Sequence, residues 1–310
     1  MMYKNMILRH RSKIKVSRSD RIFYATINII VLIAIGIVII PTLNIIASSF
    51  SSPTAVSAGK VGILPQEFTL EGYKMILHNN KLVIGYGNTI FYTVFGTLIN
   101  ILMTTIAAYP LSRKDFMARG TIMKIFTFTM YFGGGMIANY LLYKNLGLIN
   151  NRLVMLLPGA ISVYNMIVMR TFFETNIPAE LLESTKMDGC SDFRFLASFA
   201  IPLSKSIFAV MILYYAVGHW NAYFNAFLYL SDEKKYPISV LFQQLLGGIV
   251  TKGSQAAETA TDAADKVNTD NYKDLIQYAL IVVTSLPVCC AYPFVQRYFV
   301  KGMMTGAVKG

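Results

Sequence analysis

Charge is scarce in this chain. Asp, Glu, Lys and Arg make up 14% of its 310 residues, where soluble domains carry about 25%. Six stretches contain none of the four: 22–50, 82–112, 125–143, 153–169, 206–230 and 275–296. With a mean hydropathy of +0.49, these runs exclude a soluble globule with a polar surface. Cysteine is scarce too. Cys190 stands alone and Cys289 and Cys290 are adjacent, which allows neither a disulfide framework nor a zinc-type spacing. His10, His78 and His219 are scattered, so no metal site is expected. There is no G-x-x-x-x-G-K-[ST] loop, no nucleophile elbow and no pair of catalytic carboxylates. The chain is therefore expected to be no enzyme and to bind no cofactor itself. Acids and bases are missing from the long runs, which disfavours a proton- or sodium-coupled carrier and a channel built on charged rings. What remains is a pathway for something neutral or bulky, driven from elsewhere.

What the chain does have is membrane-spanning length. A helix crosses the hydrocarbon core with about 20 apolar residues, and with as few as about 17. All six runs reach that length, and nothing reads as the short alternating strands of a barrel. Backbone groups in lipid are satisfied only by helices or closed barrels. The expected fold is thus an all-α membrane protein with six transmembrane helices. Lys and Arg set the orientation. With the N-terminus inside, segments 1–21, 113–124, 170–205 and 297–310 hold 18 of the 28 basic residues. The outside segments 51–81, 144–152 and 231–274 hold the other 10. Both termini are expected in the cytoplasm. The net charge of +12 gathers beside the runs, which points to anionic lipid rather than nucleic acid. The first run is too long for the apolar core of a signal peptide, so it is expected to be an uncleaved anchor.

Two units follow: a basic cytoplasmic tail, 1–21, and a single membrane domain, 22–310. Gly133-Gly134-Gly135 interrupts the third run, and helix packing is preferred over unwinding as its reason. The outside loop 231–274 starts with an apolar part, 236–250, placed on the membrane surface or against a partner. It continues as an Ala-, Thr- and Asp-rich part.

One charged island stands out, between the fourth and fifth runs. Pro178 suits a helix start, and 179–187 is made of good helix formers. Asp188-Gly189 stops it, because glycine accepts the left-handed cap. Ser191 caps a second helix, in which Phe195, Leu196, Phe199 and Ala200 form one apolar stripe. Pro202 ends it. Physics alone leaves two readings open: a surface linker on lipid, or a docking element for a cytoplasmic protein.

The island resembles the EAA loop of binding-protein-dependent ABC importer permeases. The pattern reads Glu183-Ser184-Thr185, three residues, Gly189, and later Ile201-Pro202-Leu203. Ser184 and Thr185 replace the two alanines with residues that are still small. The upstream 177–181 and the tail 292–310 also look like the MalG-like carbohydrate-uptake branch, which imports complex oligosaccharides. The resemblance implies a type I ABC importer permease fold with cytoplasmic coupling helices, in a bacterial cytoplasmic membrane. It implies a coupling loop at 173–205 in which Glu180, Glu183, Ser184, Thr185, Asp188 and Gly189 meet an ATPase. ATP and Mg would sit on that partner ATPase dimer. The other implied partners are a second, MalF-like permease subunit, an extracytoplasmic solute-binding protein that meets the 231–274 loop, and membrane lipid.

Sugars are held by aromatic faces and side-chain hydrogen bonds. The fifth run offers Tyr215, His219, Trp220, Asn221, Tyr223 and Asn225 as candidate pathway residues, since amides in a span face a partner helix or a wet cavity. Helix packing and an interfacial aromatic belt are the alternatives for the same residues. A secondary carrier and a membrane scaffold remain the competing functions.

Overall fold

The computed structural model describes residues 17–244, 272, 274–293 and 296, and within them every regular element is helical. The basic tail up to 16, most of the Ala/Thr/Asp-rich loop and the last 14 residues fall outside the described residues. The helices are α1 Arg18–Ser49, α2 Pro53–Ser57, α3 Glu71–His78, α4 Asn80–Ser112, α5 Arg119–Tyr131, α6 Gly135–Asn145, α7 Val163–Asn176 and α8 Ala179–Met187. They continue as α9 Asp192–Leu203, α10 Lys205–Trp220, α11 Phe224–Tyr229 and α12 Asp274–Pro293.

α4 is the hub. Its 33 residues make a rod of about 50 Å, and it packs on α10 and α7. Its surface is inverted relative to a soluble helix. Asn88, Thr89, Thr97, Asn100, Thr104 and Thr105 are buried, while Ile90, Val94, Leu98, Leu102 and Ile106 face outward. In lipid an outward Leu costs nothing, whereas small and polar residues gain by meeting another helix. The buried positions recur at three- and four-residue intervals, so they form one stripe.

The two ends of α4 gather different loops. Near its start, Lys81 pairs with Glu233 at 2.6 Å and the Asn88 amide donates to the carbonyls of Lys234 and Tyr236. Asn150 joins there, accepting from the N–H groups of Ser231 and Asp232. At the far end Arg170 donates to the Leu111 carbonyl and pairs with Glu174. Segments assigned to one side of the membrane by their basic residues therefore meet one another.

Among the described residues three helices, α1, α4 and α12, are long and apolar enough to span a bilayer, and there are up to five spans if each of two bent pairs counts as one. The third run is such a pair, α5 and α6, bent by 111°. Gly135 has φ 79°, and a Cβ on Gly133 or Gly135 would touch nothing within 4 Å. Gly135 serves the bend, and the close packing preferred from sequence is not made at Gly133 or Gly135 by the described residues of this chain. The fourth run is not one helix. Arg152–Met155 is a 3-10 turn, Pro158 and Gly159 (φ 73°) break the chain, and α7 begins only at Val163, where Ser162 accepts from the Asn165 N–H. The second bent pair, α9 and α10, meets at 84° next to Pro202.

Of the loop's apolar part, 236–250, residues 245–250 lie outside the described residues, and 236–244 depart from expectation. Ile238, Val240 and Leu241 are buried, with Ile238 and Leu241 packed on Ile76, Leu82, Ala279 and Leu280. This segment fills the groove between α3, α4 and α12 instead of lying on a surface. Gly85 makes room for it: a Cβ there would lie 2.5 Å from the Leu241 side chain.

Candidate functional site

The island is the elbow the sequence describes. α8 ends in a Schellman turn: the Cys190 N–H reaches the Thr185 carbonyl at 2.9 Å and the Gly189 N–H reaches that of Lys186 at 3.0 Å. Gly189 has φ 75°, a value that costs a residue with a Cβ about 1–2 kcal/mol. Ser191 then caps α9 through the Arg194 N–H at 3.3 Å. The stripe on α9 is realised: Phe195 and Ala200 are fully buried, Leu196 nearly so, and Phe199 packs beside them. Residues 196–200 form a π-helical turn, which the sequence did not reveal.

α8 has two faces. Leu181 and Leu182 pack against the core formed by Phe173, Ile177 and Phe195. Thr185 is buried and its hydroxyl donates back to the Leu181 and Leu182 carbonyls. On the other side Glu180, Glu183, Ser184, Met187 and Asp188 are exposed, Met187 at 88%. No ion pair involves Glu180, Glu183 or Asp188 among the described residues. Ser184 bonds only its own helix. The elbow thus offers free carboxylates beside a bare methionine on a helix whose other face is fixed.

Lys186 locks the elbow to the turn after α4. Its ammonium pairs with Asp115 at 2.8 Å and lies 3.8 Å from Asp192. The bond from Lys186 holds the Asp115 carboxyl below its usual range, and the bond to Asp115 holds Lys186 above its own. The lowered acid contributes stability that is complete above the ordinary carboxylate value of about 3.9 and lost as pH falls through its folded value. The raised base contributes below about 10.4 and loses it as pH rises further. Both groups are well exposed, so the pair contributes about 0–1 kcal/mol. Asp115→Asn should therefore lower the melting temperature slightly at neutral pH. That difference should vanish in acid below the folded value of Asp115, as thermal unfolding of purified protein at several pH values will show.

The candidate pathway residues are placed less uniformly. Tyr215 is buried, with its hydroxyl 2.7 Å from that of Thr104 and accepting from the Ser162 N–H. The His219 ring bonds Asn100 Oδ1 at 2.6 Å, while the Asn100 amide donates to the Gly159 and Ala160 carbonyls. Gly96 lets that ring lie against α4, since a Cβ there would collide with it. Trp220 donates to the Thr284 carbonyl at 2.9 Å and meets Tyr86 edge to face. These three join α10 to α4, α12 and the chain before α7. Tyr223 stacks on Phe227. Asn221, whose amide bonds Val217 of its own helix, and Asn225 are exposed. Asn100 and Thr104 were missed in the sequence, although their spacing on α4 matches a helix face.

An inverted hub helix, broken spans and a charged elbow at one end mark a polytopic helical membrane protein. Among proteins of known name, Protein LplC of Bacillus subtilis is 38% identical over 295 residues, 95% of this chain and 97% of that protein. The polygalacturonan/rhamnogalacturonan transport system permease protein YtcP of the same species is 38% identical, with 88% and 93% covered. A chain from the crystal structure of a bacterial ABC transporter involved in the import of the acidic polysaccharide alginate is 34% identical. It superposes with a TM-score of 0.82 over 91% of this chain and 98% of that one. No family model matches. The chain belongs to the ABC importer permeases, in their MalG-like carbohydrate branch.

Proposed function

We propose that this chain is half of the pathway of an ATP-driven oligosaccharide importer and takes its stroke through α8. The observation that carries this is the two-faced elbow: Glu180 and Glu183 free in solvent, Thr185 and the leucines locked into the core. In this reading α8 is the coupling helix. Glu183 anchors it to the ATPase, Glu180, Ser184 and Asp188 line the contact, Thr185 ties the helix to the permease, and Gly189 makes the elbow. ATP and Mg are bound by the ATPase dimer.

A second permease subunit completes the pathway. α1 supports this, because its spanning window buries none of its surface in this chain and only Ala47, Ser48 and Ser49 are buried. A helix apolar all round needs lipid or another protein on every side. The expected topology has six spans, with the short α7 completing the fourth and α10 with α11 the fifth, in a bacterial cytoplasmic membrane with both termini inside. Cys190 should then be shielded from an impermeant thiol reagent applied outside, while Ser254→Cys is labelled; the reverse pattern overturns the orientation.

Acidic oligosaccharides are the substrate class we favour. Two of the relatives above are named for acidic polysaccharides, and the loop end near the start of α4 carries Arg152. Its guanidinium bonds Asn88 at 3.1 Å and lies over Phe91, with no carboxylate paired to it among the described residues. Tyr223, Asn221 and Asn225 are the candidate contacts within the pathway. The solute-binding protein meets the 231–274 loop in this scheme. The test is ATP hydrolysis by the reconstituted transporter with its binding protein. An oligouronide should stimulate it and a neutral oligosaccharide of equal length should not; equal stimulation by both removes the acidic assignment.

A further inference from the structure

A cavity of about 440 Å³ opens between the last turns of α4 and the first turn of α9. Ile106, Pro110, Phe193 and Leu196 supply apolar walls, and Tyr109 and Arg113 its basic, hydrogen-bonding corner. Tyr109 is only 6% exposed, yet its hydroxyl has no hydrogen-bond partner among the described residues. Arg113 lies over the Tyr109 ring, 4.8 Å from its centre. Its Nε donates to Ser112, while the buried Nη2 has no partner among the described residues. A buried hydroxyl and a buried guanidinium nitrogen that no described residue satisfies cost free energy unless something else does.

We infer that this cavity holds an anionic phospholipid, its phosphate on Arg113 and Tyr109 and its acyl chain along Ile106, Pro110 and Leu196. Two observations select lipid over a soluble anion. Arg113 is the first charged residue after the uncharged run 82–112, so the corner lies where the hydrocarbon meets water. The walls are apolar, and Phe193 stands 78% exposed at their edge. Two carboxylates also line the cavity, and the one Lys186 ammonium serves both, at 2.8 Å from Asp115 and 3.8 Å from Asp192. Arginine provides the fork that fits a phosphate. A lipid seated here would touch α4 and the elbow together, and so tie membrane composition to the position of α8.

The assembled transporter, purified into nanodiscs of phosphatidylcholine with a minor share of phosphatidylglycerol, provides the test. Lipid retained after delipidating washes is counted by mass spectrometry. The wild type should keep phosphatidylglycerol in preference to phosphatidylcholine. Tyr109→Phe and Arg113→Gln should each lower that preference about tenfold, the scale of one charge-assisted hydrogen bond, with phosphatidylcholine unchanged. Tyr109→Phe removes a hydroxyl with no hydrogen-bond partner among the described residues, so a merely structural role predicts no change in lipid. Unaltered retention in that variant overturns the site. So does a wild type with no preference, as it would be if a partner chain filled the cavity. Release of the lipid by excess inorganic phosphate, with phosphate binding lost in both variants, would replace it with a soluble anion.

Discussion

Glu183→Ala should leave the permease inserted and folded while cutting transport-linked ATP hydrolysis by about tenfold or more. The side chain is exposed and makes no hydrogen bond or ion pair among the described residues, so its removal creates no cavity and strands no partner there. Its loss falls on whatever it meets outside. A hydrogen bond to a charged group is worth about 1.5–3 kcal/mol, which corresponds to a factor of ten to about a hundred and fifty in the strength of the docked state. Measurements should compare ATPase co-purification and binding-protein-stimulated hydrolysis in wild type, Glu183→Ala and Glu183→Gln. The glutamine variant, which keeps an acceptor, should fall between the other two. Normal values of both quantities in Glu183→Ala would leave α8 as a surface linker.

Asn100→Ala is expected to act in the opposite way, on stability before coupling. The amide donates to two carbonyls of the turn before α7, and its oxygen meets His219 on α10. One side chain therefore fastens three parts of the chain. Helix-joining hydrogen bonds in membrane proteins average about 0.6 kcal/mol, with the best near 1.7. Losing three should cost about 2 kcal/mol, because the carbonyls at Gly159 and Ala160 and the His219 ring all lose this partner. The check is thermal unfolding in detergent. His219→Ala should cost less, as it severs one of the three bonds and leaves the other two. A loss below about 0.5 kcal/mol in Asn100→Ala would show that water replaces the amide in this seam.

The elbow was readable in the sequence almost residue by residue, because it is made by local chemistry. Gly189 stops α8, Ser191 starts α9, and the stripe at Phe195, Leu196, Phe199 and Ala200 finds the core. The apolar runs were equally visible, but where helices break inside them was not. Gly133–Gly135 carries the same composition whether it packs or bends, and only the empty space around it decides. Pro158-Gly159 was a stronger signal that the fourth run is divided. The seam of α4 lay beyond reach for another reason. Asn100 meets His219 across 119 residues of chain and Thr104 meets Tyr215 across 111, and no short-range pattern couples such positions. Without those partners, Tyr215 and His219 resemble sugar-binding residues as much as fasteners. The inward turn of 238–241 was hidden likewise, since its apolar residues would suit a membrane surface or a groove.

The inversion of α4 also decides how freely this sequence can drift. Ile90, Val94, Leu98, Leu102 and Ile106 look outward, where one branched aliphatic dissolves in acyl chains about as well as another, and exchanges among them should pass selection unnoticed. Asn88, Asn100 and Thr104 are each matched to particular atoms on other segments, so they can change only in concert with those partners. Along one helix, then, neighbouring positions keep different evolutionary clocks: fast on the greasy side and slow on the polar one, the reverse of a helix in a water-soluble enzyme.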